Sequence, residues 1–362
     1  MSKHRNFLHR RLGLLLLAVL PIVACGPADG QPDAAGDATD APVDAAGDAA
    51  AGSASGAAAA AVAVVFSIAE PDLLPENVAY DPVTGAWYVG STRKGKILRV
   101  VGGEVSEFRP ARADSLWMVV GMKVDPERRV LWVCSSQGGN LMGDTIRDGG
   151  AAALFRLDLD TGTMLDRWVL DSSGSTHFLN DVVLASDGTA FVTHMFDEPG
   201  VWVVPPAGDL ELYVALPERS FPNGIALSPD QSVLYVATAR GIARIDRGDR
   251  SISTLAAAEL NRTAGIDGLY AIDGALIGVL PDPGAVIRFD LETGGTGIST
   301  ITTLIEGHPT FRVPTTGVIV GDELHFIANS QFNMVAADGS LPPLSELADP
   351  VVLSVPLEPA AR

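Results

Sequence analysis

One short pattern occurs six times after residue 60, and this repetition constrains the fold more than any other feature of the chain. Each copy has an apolar strand, a turn rich in Asp, Pro or Gly, and a second apolar strand. The six first strands are predicted at Asn77–Tyr80, Gly121–Val124, Asp181–Leu184, Gly224–Leu227, Gly268–Ala271 and Gly317–Val320. Third and fourth strands complete a period of roughly 45 residues. The sequence therefore predicts an all-β fold, a six-bladed β-propeller with four-stranded antiparallel blades, because a β-sandwich would not show this repeat.

The two ends of the repeat region are predicted to meet in the last blade. Val351–Pro356 is expected to form its third strand, and Val62–Ile68, which precedes the first repeat, its outer strand. This pairing would close the ring and remove one exposed sheet edge.

The residues before the repeats look like an export signal followed by a tether. A positively charged segment, residues 1–11, precedes an apolar segment, residues 12–24, that is too short to span a bilayer comfortably. Cys25 follows this segment directly, and the sequence around it resembles a bacterial lipobox. The predicted organisation is a lipoprotein signal peptide (1–24), a lipidated Cys25 with a disordered Ala/Gly/Asp-rich linker (25–60), and the propeller (61–362). The alternative is an ordinary secretory signal in which Cys25 is incidental.

Lipidation would place the protein in the bacterial cell envelope and join it to the membrane through the lipid anchor only. Gly26 is not the aspartate that commonly retains lipoproteins in the inner membrane, so the outer membrane or cell surface is favoured. The other cysteine, Cys134, lies in an apolar run and is expected to be a small core residue. The formal net charge of −19 argues against a nucleic-acid partner. The protein is expected to be a monomer.

Aligning the six hairpins places one residue of each blade at the start of the innermost strand, where the six positions should ring one mouth of the central channel. These positions are Glu76, Val120, Asn180, Asn223, Asp267 and Thr316. Four of them offer hard oxygen donors, a set suited to Ca²⁺ or another hard divalent cation. The simpler interpretation is that Asn, Asp and Gly are ordinary turn residues. However, carboxylates at a narrow mouth would repel each other without a cation.

Four motifs at these positions resemble those of one family. They are Pro75-Glu76, Leu179-Asn180-Asp181, Pro222-Asn223-Gly224 with Ser228-Pro229-Asp230, and Ile266-Asp267-Gly268. In this order they resemble the senescence marker protein, gluconolactonase and luciferin-regenerating enzyme family, also called regucalcin-like propellers, over residues 62–356. The resemblance implies that Glu76, Asn223 and Asp267 coordinate the metal and that Asn180 is a further ligand or a substrate contact. It also implies the hydrolysis of lactones or related esters, which is the activity of some members.

Four residues depart from the family pattern. Asn77 follows the first motif where glycine is usual, and Phe178 stands where many sugar-lactonases have arginine. Thr193-His194 replaces the usual Asp-Ser. These changes leave the predicted metal ring intact but speak against a polar sugar acid as substrate.

The chemistry expected at such a mouth is metal-dependent hydrolysis of a lactone or small ester, with the small molecule as the only partner at the site. Asp267 would take the proton from the attacking water, with Asp181 as the alternative base. His194 is either a further general base or a packed wall residue. The competing hypothesis is a non-catalytic propeller that binds a ligand or protein and holds a structural metal.

Overall fold

The computed structural model describes residues 62–143, 150–257 and 262–358, which form six four-stranded antiparallel sheets. The predicted signal peptide, Cys25 and the linker lie outside the described residues. Among the residues that are described, no helix has the length and apolar character needed to cross a membrane.

Each sheet is one blade, and the strands of blades 1 to 5 follow one another in chain order from the innermost to the outermost. Blade 1 consists of β2 (Pro75–Asp81), β3 (Ala86–Ser91), β4 (Ile97–Val101) and β5 (Glu104–Arg109). Blade 2 consists of β6 (Met118–Asp125), β7 (Val130–Ser136), β8 (Ala152–Asp158) and β9 (Met164–Leu170). Blade 3 consists of β10 (Leu179–Leu184), β11 (Ala190–His194), β12 (Gly200–Val204) and β13 (Glu211–Ala215).

The remaining blades complete the ring. Blade 4 consists of β14 (Ile225–Leu227), β15 (Val233–Thr238), β16 (Gly241–Asp246) and β17 (Ile252–Thr254). Blade 5 consists of β18 (Leu269–Ile272), β19 (Ala275–Leu280), β20 (Ala285–Leu291) and β21 (Ile298–Glu306). Blade 6 consists of β22 (Gly317–Val320), β23 (Glu323–Ile327), β24 (Val351–Pro356) and β1 (Ala63–Ser67). Short 3₁₀ turns lie in the connections at Ala113–Ser115, Phe332–Met334 and Leu344–Glu346.

The predicted fold class and ring closure are confirmed. β1 pairs antiparallel with β24, with Ala63 opposite Ser354 and Ser67 opposite Val351. The last blade therefore takes its outer strand from the beginning of the propeller and its other three strands from the end.

The hydrophobic core lies between neighbouring blades. The second strands, such as β7 and β15, are buried along their whole length because each is covered on both faces, which explains their continuous apolar sequences. The outermost strands β5 and β17 are largely exposed. Large side chains such as Tyr88, Phe155 and Phe289 fill the spaces between blades and are almost completely buried.

Candidate metal and substrate site at the channel mouth

A β-bulge starts the innermost strand of each blade and aligns the predicted ring residues. In blade 1 the register passes from Pro75 opposite Ser91 to Val78 opposite Val89, so two residues face one partner residue. The same irregularity occurs in blades 2 and 3. In blade 4, Asn223 N–H donates to the Ala237 carbonyl, and Ala237 N–H donates to the Gly224 carbonyl, each at 2.9 Å. Every blade therefore contributes a first and a second bulge residue to the mouth.

The bulge defines two tiers of residues. The first positions are Glu76, Val120, Asn180, Asn223, Asp267 and Thr315. The second positions are Asn77, Gly121, Asp181, Gly224, Gly268 and Thr316. The sequence alignment placed Thr316 in the first tier, one residue too far along. The alignment relied on Gly317, which resembles the glycines of the other blades. In the structure the bulge lies one residue earlier, because Thr315 N–H donates to the Ile327 carbonyl and Ile327 N–H donates to the Thr316 carbonyl.

Glycine in the second tier lets adjacent inner strands approach closely. A Cβ on Gly224 would lie 2.5 Å from the Leu269 backbone nitrogen, and one on Gly121 would lie 2.7 Å from the Asp181 Cα. Because backbone atoms cannot move aside as a flexible side chain can, these positions exclude larger residues.

Three predicted carboxylates are buried near one another. Glu76, Asp181 and Asp267 are each no more than 8% exposed. Burial raises the pKa of Glu76 well above its ordinary range, and the carboxylates of Asp267 and Asp181 raise it further. Burial also raises the pKa of Asp267 to about 7, although a hydrogen bond from Asn223 opposes this shift. The mouth is therefore a place where negative charge is unfavourable without a counter-ion.

Asp181 is held by the backbone. Burial raises its pKa to about 6, against the opposing effect of Lys123. Its Oδ1 accepts from Val182 N–H at 2.8 Å and its Oδ2 from Ile225 N–H at 3.2 Å, which ties blade 3 to blade 4. These bonds favour a structural role over the predicted role of alternative base.

The amide side chains of the ring leave buried oxygens without a hydrogen-bond donor. Asn180 Oδ1 and Asn223 Oδ1 are both buried and have no partner among the described residues. A buried acceptor without a donor is unusual and requires an explanation, for which a bound cation or water is the usual one. These two residues were predicted as ligands from the sequence.

Asn77 has the same property but was not predicted as a ligand. It is 2% exposed, and its Oδ1 has no partner. The Thr316 hydroxyl donates to the Glu76 carbonyl at 2.8 Å, so it must accept from Asn77 Nδ2 at 2.7 Å. This fixes the amide and leaves Oδ1 as the free atom. The only sequence signal was its departure from glycine at that position.

The residues present fit a hard cation, but only if amide oxygens are included. Among the residues that the structure describes, no three His, Cys, Asp or Glu side chains cluster closely enough to hold a metal by themselves. Carboxylate oxygens beside unpaired amide oxygens are the kind of ligands that Ca²⁺ binds in proteins.

Both ring nitrogens of His194 have partners outside this ring of residues. Its Nδ1 lies 3.2 Å from the Glu198 carbonyl, and its Nε2 lies 3.0 Å from His177 Nδ1. The carbonyl can only accept, so His194 donates from Nδ1 and accepts at Nε2 from His177. Burial lowers the pKa of His194 to about 4. A neutral, fully buried histidine with both nitrogens engaged fits the wall-residue interpretation better than the general-base one.

Fold and site together define a class: a six-bladed propeller whose channel mouth is lined with buried oxygen acceptors.

No protein-family model matches the chain, and no curated protein sequence matches it. Many solved structures, however, resemble this chain in fold. A gluconolactonase from Xanthomonas campestris matches at 17% identity over 83% of this chain and 90% of that one, with a TM-score of 0.56.

Two further neighbours belong to the family that the motifs resemble. A luciferin-regenerating enzyme matches at 15% identity over 84% of this chain and 97% of that one, with a TM-score of 0.54. A calcium-binding protein, regucalcin, from Agrobacterium tumefaciens matches at 17% identity over 80% of this chain and 92% of that one, with a TM-score of 0.55. At these identities the likeness establishes the fold, and propellers of other activity, including a lyase, match similarly well.

Proposed function

We propose that this protein is a hydrolase of lactones or small esters that depends on a divalent cation, Ca²⁺ being the best fit, at the channel mouth. The observation that carries the proposal is the set of buried acceptors without donors at Asn77, Asn180 and Asn223, beside the raised pKa values of Glu76 and Asp267. The similarity to a gluconolactonase and to regucalcin supports the choice of substrate class and ion at the level of fold.

In this proposal Glu76, Asn180, Asn223 and Asp267 hold the cation. The cation would polarise the substrate carbonyl and favour the negative charge that develops on its oxygen. Asp267 is the proposed proton acceptor from the attacking water, since both oxygens of Asp181 already accept backbone hydrogen bonds. Asn223 donates to Asp267 and so orients that carboxylate.

Hydrolysis of a panel of lactones and aryl esters, with Ca²⁺, with Mn²⁺ and with chelator, tests the proposal. Turnover should require the metal, and Asp267→Asn should reduce kcat/KM by at least about a hundredfold, the scale expected for a catalytic acid–base group. The matched control is Asp273→Asn, which changes an exposed aspartate in the turn between β18 and β19. Equal turnover with chelator and with Ca²⁺ would contradict the proposal.

One observation favours the second candidate, a non-catalytic binding propeller with a structural metal. Of the three predicted bases, Asp181 is engaged by the backbone and His194 by His177 and Glu198. Asp267 would then have to serve as both ligand and base. Tight calcium binding measured by calorimetry, with no turnover of any compound in the panel, would identify this alternative.

We further propose that the protein is lipidated at Cys25 and works as a monomer in the cell envelope. Expression with the natural leader followed by mass measurement should show a diacylglycerol-modified product that partitions into the membrane fraction. A soluble product with no added mass would overturn this assignment.

A further inference from the structure

Three phenylalanines form a connected aromatic group beside the channel mouth, between blades 3 and 4. Phe178 lies two residues before Asn180, Phe221 lies two residues before Asn223, and Phe196 lies in the loop that follows β11. β10 and β14 start at the mouth and β11 ends there, so all three loops belong to the same face. We name Phe178, Phe196 and Phe221 the aromatic rim.

The rings of the aromatic rim contact one another in sequence. The centroids of Phe178 and Phe196 are 5.9 Å apart with an interplanar angle of 76°, and those of Phe196 and Phe221 are 6.3 Å apart at 80°. Both pairs are edge-to-face, which is a favourable arrangement. Each phenylalanine is only partly buried, so apolar surface remains open to solvent here.

The backbone at Phe221 shows that this placement is imposed by the surrounding structure. Phe221 has φ +46° and precedes Pro222. A bulky side chain in the left-handed region is a rare and unfavourable conformation, and the residue before a proline ordinarily prefers extended backbone. Such a conformation persists only where neighbouring contacts determine it, and it commonly occurs at functional sites.

The chemistry of the rim differs from that of the ring beside it. The ring offers oxygen acceptors for a cation, whereas phenyl rings offer apolar surface and no hydrogen bonds to hydroxyl groups. A ligand that spans both regions needs a carbonyl at one end and an apolar group at the other. Burying sugar hydroxyls against phenyl rings would leave those hydroxyls without partners, which is unfavourable.

We propose that the aromatic rim is the subsite for the apolar part of the substrate, so that the enzyme acts on lactones or esters with an alkyl or aryl substituent and not on polyhydroxylated sugar lactones. This inference rests on the proposed hydrolase function and adds the substrate class. It assigns Phe178, Phe196 and Phe221 as specificity-determining residues.

Three δ-lactones with the same six-membered ring test the substrate class: δ-decanolactone, δ-valerolactone and glucono-δ-lactone. Removing one methylene from water contributes about fourfold, so an alkyl chain resting on the rim should raise kcat/KM for δ-decanolactone at least about tenfold over δ-valerolactone. Glucono-δ-lactone should be the poorest of the three. Binding of each lactone is measured in parallel by calorimetry.

Phe196→Ala should remove most of the preference for δ-decanolactone over δ-valerolactone, and Phe196→Leu should restore much of it. The matched control is Phe108→Ala, which deletes a phenyl ring from the outer strand β5, where it packs on Tyr88. Near-ultraviolet circular dichroism and thermal melting confirm that each variant is folded.

The outcomes separate the two proposals. If the lactones are hydrolysed but glucono-δ-lactone is preferred, or if Phe196→Ala keeps the preference, the subsite is wrong and the hydrolase stands. If none is hydrolysed but δ-decanolactone binds and Phe196→Ala weakens that binding, the hydrolase is wrong and the subsite stands. If none of the three lactones is hydrolysed and δ-decanolactone does not bind, both fail.

Discussion

At the scale of single residues, the mouth is organised by which atoms lack partners. Each carboxylate oxygen of Asp181 accepts a hydrogen bond from a backbone N–H, whereas the Oδ1 atoms of Asn77, Asn180 and Asn223 accept nothing from the described residues. A cation would satisfy such acceptors and would also offset the burial and the charge repulsion that together raise the pKa of Glu76. The unpaired amides, more than the carboxylates, make this mouth the candidate binding site.

Asn77 is therefore expected to contribute to metal affinity, either by direct ligation or through a bound water. Asn77→Gly, which installs the residue usual at this position, should weaken calcium binding about tenfold, corresponding to about 1.4 kcal/mol. Isothermal titration calorimetry measures the change. Asn333→Gly, at an exposed asparagine in the 3₁₀ turn Phe332–Met334, is the matched control. Unchanged calcium affinity in Asn77→Gly would show that its oxygen serves neither purpose.

At the scale of elements, the bulge at the start of each innermost strand positions the site. It places two consecutive side chains at the mouth, where a regular strand would turn every second one away. In blade 1 both side chains are polar, and in blade 4 glycine in the second position admits the backbone of blade 5.

Gly224→Ala is expected to destabilise the protein by about 1–3 kcal/mol, the usual range for overpacking, because the added methyl group meets the backbone of Leu269. Calcium affinity should fall in parallel, since Asn223 would be displaced from Asp267. Urea denaturation and calorimetry measure the two effects. Gly248→Ala, at an exposed glycine whose nearest neighbour is the Asp246 side chain, should change neither. A Gly224→Ala variant as stable as the wild type would mean that the inner strands can separate at no cost.

The sequence predicted the blades better than the site, and the reason is physical. Turn chemistry and apolar runs are local signals, so the six hairpins and the closing strand could be placed directly. The bulge depends on hydrogen bonds between strands, so Thr316 was placed in the wrong tier, and the unpaired oxygen of Asn77 was not foreseen. The orientation of His194 toward His177 likewise follows from a loop whose path the sequence does not reveal.

At the scale of the whole molecule, six blades bring carboxylates from three of them to a common buried region, and stability should depend on pH accordingly. In the metal-free protein, burial raises the pKa of Asp267 from its ordinary value of 3.8 to about 7 in the folded state. The folded protein then binds more protons than the unfolded chain between these values, so this group lowers stability as pH rises from about 4 to about 7. His194 has the opposite effect, because burial lowers its pKa to about 4 in the folded state. The stability that the neutral imidazole contributes is therefore lost as pH falls from about 6.5 to about 4.

A comparison with Asp267→Asn isolates the carboxylate from the histidines. In the presence of chelator, the stability of the variant relative to the wild type should increase by about 2.5 kcal/mol between pH 5 and pH 8. Urea denaturation at the two pH values measures this difference. The same relative stability at both pH values would show that Asp267 is not held in an unfavourable charged state.

The pairing of β1 with β24 has a consequence for engineering. Ala63 lies opposite Ser354, so the start of one strand is beside the end of the other, as in an ordinary hairpin. A short turn joining them, with new termini opened at the Gly102-Gly103 turn, would give a circularly permuted protein that keeps every strand pair and the whole channel mouth.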